Sequence, residues 1–205
     1  MDFARIEEYF PEANGQTIDK LSRLEKLYAT WNAQINLISR NDFEHFWERH
    51  VLYSLALVPI FQFQDGSRVI DVGTGGGFPG IPLSIFFPKV EFVLNDSIGK
   101  KLKVAEDVAN QLGLDNVKTA WGRSEDIDET FDYVTGRGVK SIPEFCKFSK
   151  HLLRDKKHVA IWYWKGGEFM EELTQAPFKS TIYNISDHFS EPFFETKKII
   201  KLYNK

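Results

Sequence analysis

The segment Val69-Ile70-Asp71-Val72-Gly73-Thr74-Gly75-Gly76-Gly77-Phe78-Pro79-Gly80 restricts the fold of this chain more than any other. A short apolar run reaches an aspartate and then breaks into a glycine-rich turn. A buried parallel strand delivers its C-terminal end to a nucleotide-like ligand in this way, because the turn needs φ > 0 and a side chain would hold the ligand off the backbone. The acid before the first glycine puts a carboxylate at the strand tip. That suits a cationic ligand better than a diphosphate.

From Arg68 onward, strand and helix signals alternate. Strands are expected at 68–72, 90–95, 117–121, 131–135 and 158–164, and helices at 79–87, 98–112, 142–153 and 167–175. Ser97 is the expected cap of the second helix and Gly113 its end. Two more strand-like stretches, 180–186 and 198–203, follow with no long helix between them. The pattern predicts an α/β fold: a three-layer αβα, doubly wound, mostly parallel seven-stranded sheet with an antiparallel edge strand. Before it, residues 1–63 read as a helical N-terminal extension, with Ile18, Leu21, Leu24, Leu27 and Tyr28 on one face and Thr17 as the cap. A second helical stretch covers 42–58, and a polar link at 62–67 marks the start of the main domain, 64–205.

Composition narrows the setting. With 42% hydrophobic residues, eighteen Phe and five Trp, the chain can build a large core. Its single cysteine, Cys146, excludes an intramolecular disulfide and an all-cysteine zinc site, and fits a reducing compartment. No apolar run approaches the roughly twenty residues of a membrane span, and the N-terminus lacks an apolar signal core. A cytoplasmic protein with no membrane contact is expected. The net charge of −3 argues weakly against nucleic acid, but bases gather at 100–103, 147–157 and 197–205, and distribution can override the total.

In a doubly wound sheet the ligand lies at the C-terminal strand ends. Those ends carry Asp71 and the turn, Asn95-Asp96, Gly122-Arg123-Ser124-Glu125-Asp126, Thr135-Gly136-Arg137-Gly138 and Lys165-Gly166-Gly167. Asp96 follows Gly73 at the distance where an acid meets ribose hydroxyls. Gly75-x-Gly77-x-x-Gly80 matches a dinucleotide fingerprint, which keeps a nicotinamide enzyme in view. Against it stand Pro79 and Pro82 at the helix start, Phe78 where pyrophosphate would approach, the charge of Asp71 and the antiparallel ending. The Asp-x-Gly-x-Gly turn, the acid on the next strand and that ending together resemble S-adenosylmethionine-dependent methyltransferases. The cationic sulfonium and amino groups of that cofactor suit acids at the first two tips.

Absences then point to the acceptor atom. The fourth tip lacks the Asp- or Asn-Pro-Pro-aromatic pattern of amine methylation, Cys146 sits in a helical stretch away from any tip, and no acid or histidine cluster suits a metal. Guanine N7 has a free lone pair at neutral pH, so direct in-line displacement needs neither a base, a metal nor a covalent intermediate. Arg137 then has three open partners: guanine O6, a phosphate, or the cofactor carboxylate.

Trp31-Asn32-Ala33-Gln34-Ile35-Asn36-Leu37, Phe46-Trp47-Glu48-Arg49-His50, the 71–82 loop, Asn95-Asp96-Ser97, Gly122-Arg123-Ser124-Glu125 and Val134-Thr135-Gly136-Arg137-Gly138 occur in an order that resembles the RsmG (GidB) family of bacterial small-subunit rRNA guanine-N7 methyltransferases. The resemblance runs over about residues 20–170. It implies methylation of one guanine in the decoding-site loop of 16S rRNA, with S-adenosyl-L-homocysteine as product. Cofactor contacts implied are Gly73, Phe78, Ser124, Glu125 and Arg137, with Asp96 near the ribose; the reading of the turn adds Asp71 and Gly75. Arg137 is also the catalytic candidate, through positioning or charge. Arg49, Lys100, Arg123 and Lys165, with Arg40 and His50, are candidates for RNA contact. Trp31 and Trp47 could stack bases, but their apolar spacing favours the core. Leu94-Asn95 replaces the more usual Leu-Leu, and Gly138 replaces a common alanine. The substrate is naked 16S rRNA, an assembly intermediate or the small subunit, and the protein is expected to act as a monomer. Rival readings are a small-molecule or protein methyltransferase on the same fold, and a non-catalytic ribosome-binding factor.

Overall fold

The computed structural model describes residues 3–154 and 159–204. Seven strands form one sheet: β1 (Arg68–Val72), β2 (Glu91–Asp96), β3 (Val117–Trp121), β4 (Tyr133–Arg137), β5 (Ala160–Gly166), β6 (Lys179–Asn184) and β7 (Lys197–Tyr203), in the order β3-β2-β1-β4-β5-β7-β6. The first five run parallel, and β7 is antiparallel to both β5 and β6. The antiparallel addition thus lies at one edge as expected. The antiparallel strand itself is the second from that edge, with β6 outermost. His158, the first residue of the expected fifth strand, and residues 155–157 of the basic stretch lie outside the described residues, as does Lys205.

Alternation along the strands builds two cores. Val69, Phe92, Leu94, Tyr133, Trp162, Trp164 and Ile199 point to one face, and Ile70, Val72, Val93, Val134, Ile161, Tyr163 and Ile200 to the other. The first face is covered by helices Gly80–Phe86 and Gly99–Leu112 together with the N-terminal helical segment; the second takes Ile142–Ser149 and Met170–Thr174. Three layers result. The N-terminal segment shares its core with the sheet: Ile6, Leu21, Leu24, Tyr28, Phe46 and Trp47 belong to the same buried cluster as the β-strand residues.

Local signals account for most element ends. Gly113 closes helix Gly99–Leu112 in the left-handed conformation, φ 60°. Two expected caps differ. Asn14, not Thr17, caps helix Gly15–Ser22, its carboxamide oxygen accepting from Thr17 N at 2.9 Å. Asn is as good a cap as any residue, so the helix starts where it first can. Ser97 caps nothing, because Asp96 Oδ1 takes the Ile98 amide at 2.7 Å. The expected helix at 42–58 is broken into Arg40–Phe43, a π-helical stretch Phe46–Leu52 and Tyr53–Leu55. A wide π turn of this kind frequently marks a functional site. No helix among the described residues is long and apolar enough to cross a membrane.

Candidate active site

A cavity of about 850 Å³ opens at the C-terminal ends of β1, β2, β3 and β4, a volume typical of small-ligand pockets. Its walls include Gly73, Asn95, Asp96, Ile98, Gly122, Arg123, Ser124, Glu125 and Arg137. Five of the sequence-derived cofactor candidates therefore converge: Gly73, Asp96, Ser124, Glu125 and Arg137. Three do not line it.

Asp71 is the first of the three. It is fully buried, and both oxygens are occupied: Oδ2 accepts from Thr74 Oγ1 at 2.6 Å and Gly80 N at 2.9 Å, and Oδ1 accepts from Thr135 Oγ1 at 2.9 Å. Burial pushes its carboxyl pKa up, while those three donors hold it down. The expectation that it faces a cation is corrected. The strand tip needs an acceptor to tie both ends of the turn, and that is what Asp71 supplies. Gly75 is absent from the cavity wall, its amide donating to Asp96 Oδ2 at 2.8 Å. The Phe78 ring turns away into the N-terminal layer, against Tyr28 at 4.7 Å and His50 at 5.4 Å between centroids.

Asp96 holds the position that Asp71 does not. It ends β2 on the cavity wall, and each oxygen is fixed by one backbone amide, Oδ2 by Gly75 and Oδ1 by Ile98. Its remaining lone pairs are available to a ligand's hydroxyls. Asn95, the departure noted in the sequence, is buried and donates to the Ala120 and Gly122 carbonyls at 2.9 and 3.1 Å, joining the tips of β2 and β3. Gly73 has φ +71°, and a Cβ there would meet Val139 Cγ2 at 2.8 Å, so the turn and the β4 tip fit closely. Ser124 Oγ is buried and donates to Glu125.

The N-terminal segment completes the site from one side. Tyr28 Oη donates to the Gly76 carbonyl at 2.7 Å, bracing the glycine turn. Arg137, at the end of β4, donates through Nη1 to the carbonyls of Arg49 and His50 at 3.2 and 3.4 Å. Its Nη2 lies 3.5 Å from His50 Nδ1, and its guanidinium stacks over Tyr53 and Phe78. His50 Nε2 is 2.7 Å from Asp42 Oδ2, so a neutral imidazole donates to Asp42 and accepts from Arg137. Arg49 Nη1 meets the other Asp42 oxygen at 3.0 Å. The π-helical stretch thus anchors Arg137 by carbonyls and side chains together.

Burial, then the Arg137 charge, lowers the His50 pKa to about 4 against the pull of Asp42. Unfolded, this imidazole takes a proton near pH 6.5, so the folded form loses stability as pH falls from there towards 4. The expected loss attributable to this group is about 3 kcal/mol. The Asp42 carboxyl, held below its usual value, loses its own contribution only at still lower pH. Urea unfolding at pH 7 and pH 4.5 should show a markedly shallower loss in His50→Gln than in the wild type. Equal losses in the two would contradict this.

The other candidates scatter. Arg123 is exposed on the cavity wall. Lys100 is exposed outside it, and Lys101 lines the wall instead. Lys165 is committed to Glu172 at 2.9 Å, and Glu172 also takes the Ile142 amide. Arg40 is exposed on the N-terminal segment, away from this cavity. Trp47 is buried and Trp31 is held by Asp107, as their apolar spacing suggested. Cys146 is buried in the second core, where desolvation pushes its thiol up to about 11. Sequence reasoning missed Ile98, 48% exposed on the cavity wall, and Trp121, 79% exposed beside it. The signal was an apolar residue immediately after the Asp96-Ser97 tip and a tryptophan ending β3.

A comparison with protein families matches residues 17–200 to GidB, described as rRNA small subunit methyltransferase G. The protein of that name from Flavobacterium psychrophilum is 45% identical over 95% of this chain and 95% of its own length. The one from Bacteroides thetaiotaomicron is 43% identical over 95% and 97%. Among solved structures, an S-adenosylmethionine-dependent methyltransferase from Aquifex aeolicus shares the fold, with a TM-score of 0.57 and 20% identity, covering 77% of this chain and 92% of that one. With its sheet order, glycine turn and strand-tip cavity in place, the chain belongs to the rRNA small subunit methyltransferase G family.

Proposed function

We propose that this protein transfers a methyl group from S-adenosyl-L-methionine to N7 of one guanine in the decoding-site loop of 16S rRNA, releasing S-adenosyl-L-homocysteine. Family membership supports the substrate class. The single observation that carries the cofactor assignment is Asp96, a carboxylate pinned by two backbone amides at the rim of a strand-tip cavity. The residues present fit that cofactor. Asp96 offers acceptors to a diol, Ile98 an apolar surface to a purine ring, and Gly122, with φ +141° and open space where a Cβ would stand, leaves the wall bare. Ser124 and Glu125 border the same wall, and the Gly73 backbone forms its floor.

When bound, the cofactor supplies an electrophilic methyl carbon and a neutral thioether leaving group. The residues then have to position the acceptor and exclude water. N7 brings its own lone pair, so no side chain need remove a proton, and the buried Cys146 and neutral His50 are not asked to. Arg137 bounds the cavity on the β4 side, held by the π-helical stretch. A guanine in structured RNA must leave its stack to reach that position. We place the helical extension, residues 1–63, beside residues 64–205 as the part that closes the site on the RNA side. The protein acts as a cytoplasmic monomer on 16S rRNA within the small subunit or an assembly intermediate.

Transfer of labelled methyl to small-subunit rRNA, followed by mapping of N7-methylguanosine, tests this directly. A single modified guanine in the decoding-site loop is expected. Methylation confined to a protein or small molecule would refute the reading.

A further inference from the structure

Beyond the cavity, the same end of the sheet carries a second group of residues, of which only Arg49 has a part in the assignments above. Phe193, from the segment before β7, is half-buried and has two cations against its ring: Arg49 Cζ lies 5.6 Å from its ring centroid and Lys197 Nζ 4.8 Å. Both distances fall within the range of attraction between a cation and an aromatic face. The ring also packs edge-on against Tyr53 at 5.6 Å, and Tyr53 is the ring under Arg137. The group is therefore continuous with the methyl-transfer site through one shared aromatic.

Two features show that these charges are not fully used by the protein. Arg49 satisfies one nitrogen on Asp42, yet its Nε is buried without a partner. Among the described residues, Lys197 joins no carboxylate, although nine other lysines and arginines do. Lys197 is opposite Gly166, the tip of β5, where a Cβ would come within 2.9 Å of its Nζ. The bare glycine leaves the ammonium room to lie across the strand end.

We propose that Arg49, Phe193 and Lys197 form an RNA-docking clamp at the edge of the site, taking backbone phosphates of the strand that flanks the target guanine. This rests on the rRNA reading above and supplies what that reading lacks, a cationic surface on a chain whose net charge is −3. Both cations lie against the one Phe193 ring, so the group offers two sets of donors to neighbouring phosphates. Phosphate contacts of this kind position a nucleic acid without reading its sequence. They leave base selection to the cavity.

Lys197→Met keeps the aliphatic stem over Phe193 and removes the charge; Lys197→Glu reverses it. Filter binding of a 16S rRNA transcript, without methyl donor, is measured from 0.05 to about 0.3 M salt. The methionine variant is expected to bind roughly three- to tenfold more weakly at 0.15 M salt, with the salt slope shallower by about one, and the glutamate variant more weakly still. Melting temperature and S-adenosyl-L-homocysteine affinity in both variants report that fold and cavity are intact. Unchanged RNA affinity and slope in both variants would overturn the clamp. Because the binding assay needs no turnover, its outcome stands apart from the methylation test: a wild type that binds RNA through Lys197 but methylates no guanine would sink the proposed reaction and leave the clamp in place.

Discussion

Arg137→Ala is expected to lower kcat/KM for RNA methylation by about 10²- to 10³-fold, the range seen when one fixed electrostatic donor is removed from an active site. The melting temperature is expected to fall by no more than about 8 °C. The asymmetry follows from the anchoring. Arg137 donates to two carbonyls of the π-helical stretch and faces His50, and it does so from the cavity wall. The substitution deletes a half-buried cation whose pKa desolvation already lowers, so the cost of the lost hydrogen bonds is partly offset. Arg137→Lys should recover little, since one ammonium cannot reach the Arg49 and His50 carbonyls and His50 Nδ1 together, as the two arms of a planar fork do. Steady-state kinetics beside thermal melting decides the matter. Normal turnover with a large melting loss would make Arg137 a structural residue.

Asp96→Ala is expected to weaken cofactor binding by at least about 100-fold, since hydrogen bonds to a charged group contribute about 1.5–3 kcal/mol each. The substitution removes the acceptor presented to the ligand. It also releases the Gly75 and Ile98 amides that define the turn and the following helix start. Asp96→Asn should lose nearly as much, because an amide must turn one NH₂ hydrogen towards an N–H that needs an acceptor. Calorimetry with S-adenosyl-L-homocysteine measures both. Wild-type affinity in either variant would remove Asp96 from the binding site.

The sheet was legible because period-two burial and glycine turns are local properties. Val69 to Val72 announces a buried strand by itself, and so does Trp162 to Trp164. The site was legible only in part. Sequence places both Asp71 and Asp96 at strand tips, but nothing in the sequence says which carboxylate is spent on backbone and hydroxyl donors. Thr74 and Thr135, 61 positions apart in the chain, decide that for Asp71. The same limit applies to Lys165, whose partner Glu172 arrives with the helix after β5. Lys100 and Lys101 differ only in their angular position on a helix, where a shift of one residue separates cavity from solvent. The family resemblance implies Phe78 as a cofactor neighbour, whereas Tyr28, Phe46 and His50 draw its ring into the N-terminal layer. Of the Arg49–Phe193–Lys197 group, sequence offered Arg49 alone as an RNA contact; Phe193 and Lys197 join it only in the fold, because the members come from the first and last quarters of the chain.

Titration of S-adenosyl-L-methionine into the folded wild-type protein, followed by calorimetry, meets the account at its base. One molecule bound per chain, with affinity lost in Asp96→Ala, is the result expected. Well-folded protein that takes up neither the methyl donor nor its demethylated product would contradict it.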